Sequence, residues 1–162
     1  MIDGLSEFPG MSAVHDALAA RFGSVLLEST FAKKELSVRI QTESLLPVVA
    51  FLKSEQGFNA LSDMIGLDHP GIPAEGRMRF SVLYQLSKYP AHLRLRLVVD
   101  VAEGGDIASV VSVHPAADWA EREIFDMFGI RFAGHPDLRR IYLGTEFEGH
   151  PLRKDFPLQG KP

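Results

Sequence analysis

The sequence predicts an α+β fold: a mixed or mainly antiparallel sheet with helices on one face, followed by an irregular, extended C-terminal arm. Three observations carry this expectation. Apolar residues recur at helical spacing in three segments, and the element order reads helix, two strands, helix, strands, helix. Two central segments alternate apolar and polar residues with a period of two, the mark of antiparallel strands with one wet face. After Gly129 no periodicity is sustained, and glycine and proline accumulate. The 162 residues suffice for one domain with a real core, assigned to residues 1–128, with residues 129–162 as the arm.

The first helix is expected from Met11 to Phe22, where Val14, Ala17, Leu18 and Phe22 share a face, Ser12 caps the start and Gly23 ends it. A hairpin follows: Val25 to Phe31, a turn at Lys33-Lys34, then Leu36, Val38 and Ile40 alternating with Ser37, Arg39 and Gln41. Leu45 to Lys53 reads as a second helix, with Ser44 as N-cap, Pro47 harmless in the first turn and Gly57 beyond the end. Phe58 to Asp68 fits no single period, and a strand is the better assignment before the turn cluster Pro70–Gly76. In the next strand Met78, Phe80, Val82, Tyr84 and Leu86 face one way, and Arg77, Arg79, Ser81 and Gln85 the other. In its neighbour Leu93, Leu95, Leu97, Val99 and Val101 alternate with Arg94, Arg96 and Asp100. After Gly104-Gly105 a short apolar stretch reaches Val113. Pro115 then opens a helix whose Ala120, Ile124, Met127 and Phe128 share a face, until Gly129 stops it.

The arm holds nine Gly or Pro residues, yet Ile130, Phe132, Leu138, Ile141, Tyr142, Leu143, Phe147, Leu152, Phe156 and Leu158 give it far more apolar surface than a solvated linker carries. It requires a surface to lie on. Residues 102–128 carry one basic residue against six acids, a net of −5, whereas residues 129–162 carry six basic residues against four acids, a net of +2. An acidic helix followed by a basic arm pairs within the chain or between chains.

Composition excludes several classes of function. With 17 Lys and Arg against 21 Asp and Glu, the net charge of −4 opposes binding to nucleic acid. The absence of cysteine removes disulfides, thiolate zinc sites, cysteine-ligated clusters and a cysteine nucleophile. The longest apolar runs, such as Leu45 to Leu52, fall far short of the roughly 20 residues a bilayer span needs. Residues 1–10 are acidic and lack the basic start and apolar stretch of a secretory signal, so a chain that is cytosolic or faces the cytosol is expected.

Four histidines precede proline: His69, His114, His135 and His150. With Glu121, Glu123 or Asp126 they form a conceivable ligand set, but no close pairing fixes two ligands on one element, and the expectation is local hydrogen bonding and no metal. Glu123 and Asp126, three apart on a helix, also read as an acid/base pair, and Arg122 with Asp126 as an i,i+4 ion pair. The plainer reading is a solvated or partner-facing helix surface. Gly144 to Gly149 has the glycine spacing of a phosphate loop but is followed by His150-Pro151 where Lys and Ser or Thr are required. No GxGxxG or GxSxG occurs, so nucleotide binding and serine hydrolysis lack support.

The stretch from Trp119 through Glu121-Arg-Glu, Asp126-Met-Phe-Gly-Ile and His135-Pro-Asp-Leu-Arg-Arg to Ile141, followed by Gly149-His-Pro-Leu-Arg-Lys-Asp-Phe-Pro157, resembles the signature of the 30 kDa subunit, or C subunit, of respiratory complex I, the proton-pumping NADH:quinone oxidoreductase. Asp68-His69-Pro70 is similar to an upstream element of that family, and the short length is similar to its free-standing bacterial form rather than the form joined to the D subunit. The resemblance implies a peripheral, non-catalytic subunit of the hydrophilic arm, at the cytoplasmic face of the bacterial inner membrane and without a membrane span of its own. It implies docking on the D subunit near the quinone-reducing end, with no cofactor in this chain; FMN, iron–sulfur clusters and quinone are expected in partner subunits. Carried over as signature residues with a role in partner binding and fold specification are Glu121, Arg122, Glu123, Asp126, His135, Arg139, Arg140, His150, Arg153, Lys154 and Asp155, with the expectation that the arm's cations find paired carboxylates or carbonyl acceptors on a neighbouring partner surface. Two alternatives remain: a stand-alone enzyme using the acidic helix and the His-Pro histidines, and a homologous subunit of an F420H2 dehydrogenase, a photosynthetic NDH complex or a membrane-bound hydrogenase.

Overall fold

The computed structural model describes residues 2–69, 71 and 78–157. Apart from Gly71, the expected turn cluster 70–76 lies outside these residues, as do Arg77 and Leu158. Helix α1 (Pro9–Phe22) starts earlier than Ser12, because Pro9 takes the first helical position and the Phe8 carbonyl accepts the Met11 and Ser12 amides, at 2.9 Å each. Gly23 continues in helical conformation into a 3-10 turn instead of stopping the chain. Strands β1 (Leu26–Ala32) and β2 (Glu35–Ile40) form the expected hairpin, closed by Lys33 and Lys34 with φ of 51° and 62°, the twist of a two-residue turn between right-twisted strands. Helix α2 (Leu45–Ser54) begins after Ser44, whose side chain makes no capping bond.

The ambiguous segment is strand β3 (Ala60–Asp68), followed by β4 (Phe80–Lys88) and β5 (Leu93–Val101). The sheet order is β1-β2-β5-β4-β3, with β2 and β5 parallel and every other pair antiparallel. It is therefore the mixed sheet of an α+β fold. Register aligns Val38, Leu97, Tyr84 and Met64 in one row across the sheet, and Ile40, Val99, Val82 and Gly66 in the next. The side chains of both rows are buried beneath Met11, Val14 and Leu18 of α1 and Val48, Val49 and Leu52 of α2. Each contributes about 1.5–3 kcal/mol by leaving water. The opposite face is polar: Asp100 accepts from Arg39 and from Ser81 at 2.6 Å, and Gln85 joins Arg96 (2.8 Å) to Glu35 (3.0 Å). Met78, expected on the inner face, lies outside the strand and is exposed.

Helix α3 (Ala117–Phe128) begins two residues after Pro115 and packs on β3. Gly66 permits this approach, since a Cβ there would stand 2.8 Å from Phe128 Cδ2 and Cε2 and 3.3 Å from Ile124 Cγ2. Gly66→Ala is therefore expected to destabilise by about 1–3 kcal/mol through overpacking, despite the gain from losing a strand glycine. Urea unfolding checks this; an unchanged or raised midpoint would show that Phe128 yields freely.

The arm is not irregular from its first residue. Ile130 and Phe132 are buried, and strand β7 (Arg131–Ala133) pairs in parallel with β6 (Asp106–Ala108), so the expected boundary at residue 128 falls inside the packed body. A parallel two-stranded pairing of three residues leaves little sequence signal.

Candidate functional site

Three charged residues of α3 are enclosed along with its apolar stripe: Glu121 and Asp126 are 0% exposed and Arg122 is 8% exposed. This corrects the reading of a solvated or partner-facing surface, to which only Glu123 among the four conforms. The expected Arg122–Asp126 pair does not form. The Arg122 guanidinium lies over the Trp119 ring at 5.0 Å and its Nε donates to the Arg139 carbonyl at 3.4 Å, because Asp126 is taken by the arm.

Asp126 is the anchor of that arm. Its Oδ2 accepts three consecutive backbone N–H groups, from Ile141 (3.0 Å), Tyr142 (2.8 Å) and Leu143 (3.1 Å), while Oδ1 accepts from Arg140 Nη1 at 3.1 Å. Burial pushes this carboxyl up, but the three amides and the Arg140 charge outweigh it and hold it below its ordinary range. A carboxylate so surrounded fixes the path of residues 140–143 without any regular secondary structure.

The second half of the arm closes the C-terminus of α3. An α-helix leaves its last four carbonyls without helical partners. Here Gly129 N–H serves Phe125 O (2.8 Å), His150 Nδ1–H serves Asp126 O (2.9 Å), Leu152 N–H serves Met127 O (3.2 Å) and Arg153 Nε–H serves Phe128 O (2.6 Å). Arg140 also donates to the Gly149 carbonyl at 3.1 Å, which ties the two halves of the arm together. Burial first, then the charges of Arg153 and Arg140, lower the His150 pKa despite its bond to Asp126, so the ring is neutral at pH 7 and donates from Nδ1. The positive Arg153 sits at the negative end of the helix.

A second buried carboxylate receives the arm's end. Asp68, whose side chain is fully enclosed, takes Arg79 in two bonds (3.0 and 3.1 Å) and the Lys154 N–H at 2.8 Å. Burial raises its pKa, yet the Arg79 and Lys154 bonds and the charges of Arg79 and Arg153 bring it below the ordinary range. Arg79 also reaches Asp155 (2.8 Å) and Glu103 (2.9 Å), and Arg153 reaches the same Glu103 oxygen at 3.2 Å. Both guanidiniums lie over the Phe80 ring, at 5.0 and 5.2 Å.

The structure thus brings together Asp126, Arg140, His150, Arg153, Lys154 and Asp155. Arg140 and Arg153, expected to find carboxylates or carbonyl acceptors on a partner surface, find both in their own chain: Asp126 and the Gly149 carbonyl for Arg140, Glu103 and the Phe128 carbonyl for Arg153. His135 stands apart, its ring enclosed and its Nε2–H donating to the Asp118 carbonyl at 3.2 Å, and Arg139 is exposed and paired with Asp137 at 2.9 Å. The sequence reading missed Arg79 and Glu103, and it used Asp68 only as a motif. The one signal for Asp68 was a carboxylate ending an apolar strand. Among the described residues no three His, Asp or Glu side chains converge as a metal-ligand set, and no helix is long and apolar enough to cross a membrane.

Fold and site together define an α+β subunit-type module that binds its own C-terminal segment through two enclosed carboxylates. The chain belongs to the family described as respiratory-chain NADH dehydrogenase, 30 Kd subunit, which residues 38–162 match. It is 44% identical to the C subunit of the NADH-quinone oxidoreductase of Trichlorobacter lovleyi over 90% of this chain and 88% of that protein. To the corresponding C subunit of Methylobacterium sp. it is 40% identical, over 93% and 69% respectively. Among solved structures, the trypsin-resistant fragment (1–134) of Nqo5 superimposes with a TM-score of 0.69 at 31% identity, covering 80% of this chain and 99% of the fragment. A chain of the membrane-bound sulfane sulfur reductase, an archaeal respiratory membrane complex, shares the fold with a TM-score of 0.77 at 18% identity, over 93% of this chain and 86% of that one.

Proposed function

We propose that this chain is a non-catalytic structural subunit of the peripheral arm of a proton-translocating NADH:quinone oxidoreductase, placed at the cytoplasmic face of a bacterial cell membrane. It docks on another subunit, chiefly the D subunit, while FMN, iron–sulfur clusters and quinone reside in partner chains. The names of the relatives and the family match support the assembly; the docking face is read from the arm itself. One observation carries it: the arm turns two of its cations, Arg140 and Arg153, inward onto Asp126 and Glu103 while it presents large apolar side chains to water, Tyr142 (65% exposed) and Leu152 (51%) together with Phe147, and Trp119 of α3 (65%) is exposed as well. Large aromatic side chains presented this way are the usual anchors of a protein–protein interface. Partner binding by the signature residues then acts largely through this outer face, with the buried ions fixing its shape; Glu123, which accepts from the Tyr142 hydroxyl at 3.5 Å, Arg139, Lys154 and Asp155 are the exposed charged members, placed to touch a partner directly.

The test is a Tyr142→Ala, Leu152→Ala double variant. Its own unfolding free energy should stay within about 0.5 kcal/mol, as for surface changes. The amount of assembled complex should fall, and turnover per assembled complex should stay near that of the wild type. Unchanged assembly would remove this face from the interface; full assembly with strongly reduced quinone reduction would move these residues into the electron- or proton-transfer machinery.

A further inference from the structure

Asp126 and Asp68 are enclosed and surrounded by donors. A third enclosed carboxylate, Glu121, is less well supplied: its Oε1 accepts the Val110 N–H at 2.7 Å, Ser109 brings a hydroxyl near it, its Oε2 has no hydrogen-bond partner among the described residues, and the nearby His135 ring stands 3.5 Å from Asp118 instead. Three other buried polar atoms are likewise without hydrogen-bond partners: the Tyr84 hydroxyl on the inner face of β4, Nε2 of His114 in the turn before α3, and Oδ1 of Asp118, one helical turn before Glu121.

We propose that Glu121 is a buried proton-binding site whose proton governs how the turn of residues 109–114 is held against α3. The argument is one of donor and acceptor chemistry. An ionised carboxylate only accepts, and at Glu121 the charge is enclosed with one oxygen unbonded and, among the described residues, no ion-pair partner; adding a proton removes the charge and turns Oε2 into a donor. Val110 links the site to the turn, since its N–H goes to Glu121 while its carbonyl accepts the His114 N–H at 2.8 Å.

The groups acting on Glu121 are Asp118 on its own helix, Tyr84 on β4, Ser109 and the Val110 amide in the turn, and His135 from the arm; in the same turn His114 feels the Lys53 ammonium of α2, which donates to the Val113 carbonyl. Burial raises the Glu121 carboxyl above its ordinary 4.5; the Ser109 hydroxyl, the Val110 amide and His135 pull it back, and Asp118 adds to the rise. Burial, then Lys53, lowers His114, so this ring brings no positive charge at pH 7. Burial and the Glu121 charge both push the Tyr84 hydroxyl up, so it stays a neutral donor. The sign follows: the folded chain holds this proton more tightly than the unfolded chain, so the contribution to stability is complete below 4.5 and is lost as pH rises through the folded value.

The experiment is an NMR titration of the full chain carrying 13C at glutamate Cδ, with Glu121→Gln to assign the resonance and a through-bond assignment should that variant not fold. Glu121 should titrate above the ordinary glutamate value of 4.5, and the Val110 amide should shift with the same midpoint. In unfolding experiments the wild-type unfolding constant should rise about tenfold, relative to Glu121→Gln, for each unit by which that midpoint is raised. A Glu121 midpoint at or below the ordinary 4.5, a Val110 amide that ignores it, or identical pH dependence in wild type and Glu121→Gln would each overturn the proposal. The inference is independent of which chain covers the outer face of the arm.

Discussion

Asp126→Asn is expected to release the arm from the domain. The substitution hardly changes volume, so its effect isolates charge and acceptor capacity. An amide oxygen turned toward Ile141, Tyr142 and Leu143 leaves its NH2 against Arg140; turned the other way, it sets two N–H donors against three. Either way a half-buried guanidinium loses its counter-charge inside the protein, at about 3 kcal/mol or more. Hydrogen exchange at Ile141, Tyr142 and Leu143 should accelerate sharply while β4 and β5 remain protected, and assembly with partner subunits should fall in step. Continued slow exchange at these three amides would show that the arm is held by its apolar contacts instead. The same chemistry sets an acid response. Asp126 and Asp68 both lie below the ordinary 3.8, so their contribution is complete well above that value and is lost as pH falls through the lowered folded values. The arm should therefore detach in acid in the wild type, and Asp126→Asn should lose the Asp126 contribution to this dependence while that of Asp68 persists.

The second large effect is expected from Gly129→Ala. Gly129 has φ of +75°, a conformation that costs an alanine about 1–2 kcal/mol, and its new Cβ would stand 2.5 Å from His150 Nε2 and 2.6 Å from Arg153 Nη2. Neither side chain can swing away cheaply, because each is bonded to a carbonyl at the end of α3. Gly134→Ala is the control: its φ of +84° is equally unfavourable, but nothing lies within 4 Å of the added atom. Gly129→Ala should cost about 2–4 kcal/mol, clearly more than the control, and should expose the Leu152 amide to exchange. Equal losses for the two variants would mean that the arm does not press on Gly129.

Most of the frame was legible because burial writes itself into the sequence as period. Leu93, Leu95, Leu97, Val99 and Val101 could lie only in a strand with one wet face, and the run ending at Gly129 could only be a helix stopped by a left-handed residue. Element ends were less legible: α1 starts at Pro9 because Phe8, whose ring packs 5.0 Å from Phe31, offers its carbonyl there. That contact depends on a strand more than twenty residues away.

What the sequence by itself determined is the α+β frame, the place where regular structure gives out, and the family, carried by the charged and proline-linked residues between Trp119 and Pro157. What only the tertiary structure decided is which of those charges are inside. A periodicity argument counts Glu121, Arg122 and Asp126 as polar and assigns them to water, and an i,i+4 rule gives Arg122 to Asp126. The outcome is set by partners distant along the chain: the amides of residues 141–143 and Arg140 for Asp126, the Val110 amide for Glu121, and the Lys154 amide, 86 residues away, for Asp68. Asp126 and Asp68 leave water as carboxylates because donors are held ready for them, and those donors exist at one point in space only after the sheet, helix α3 and the arm have assembled.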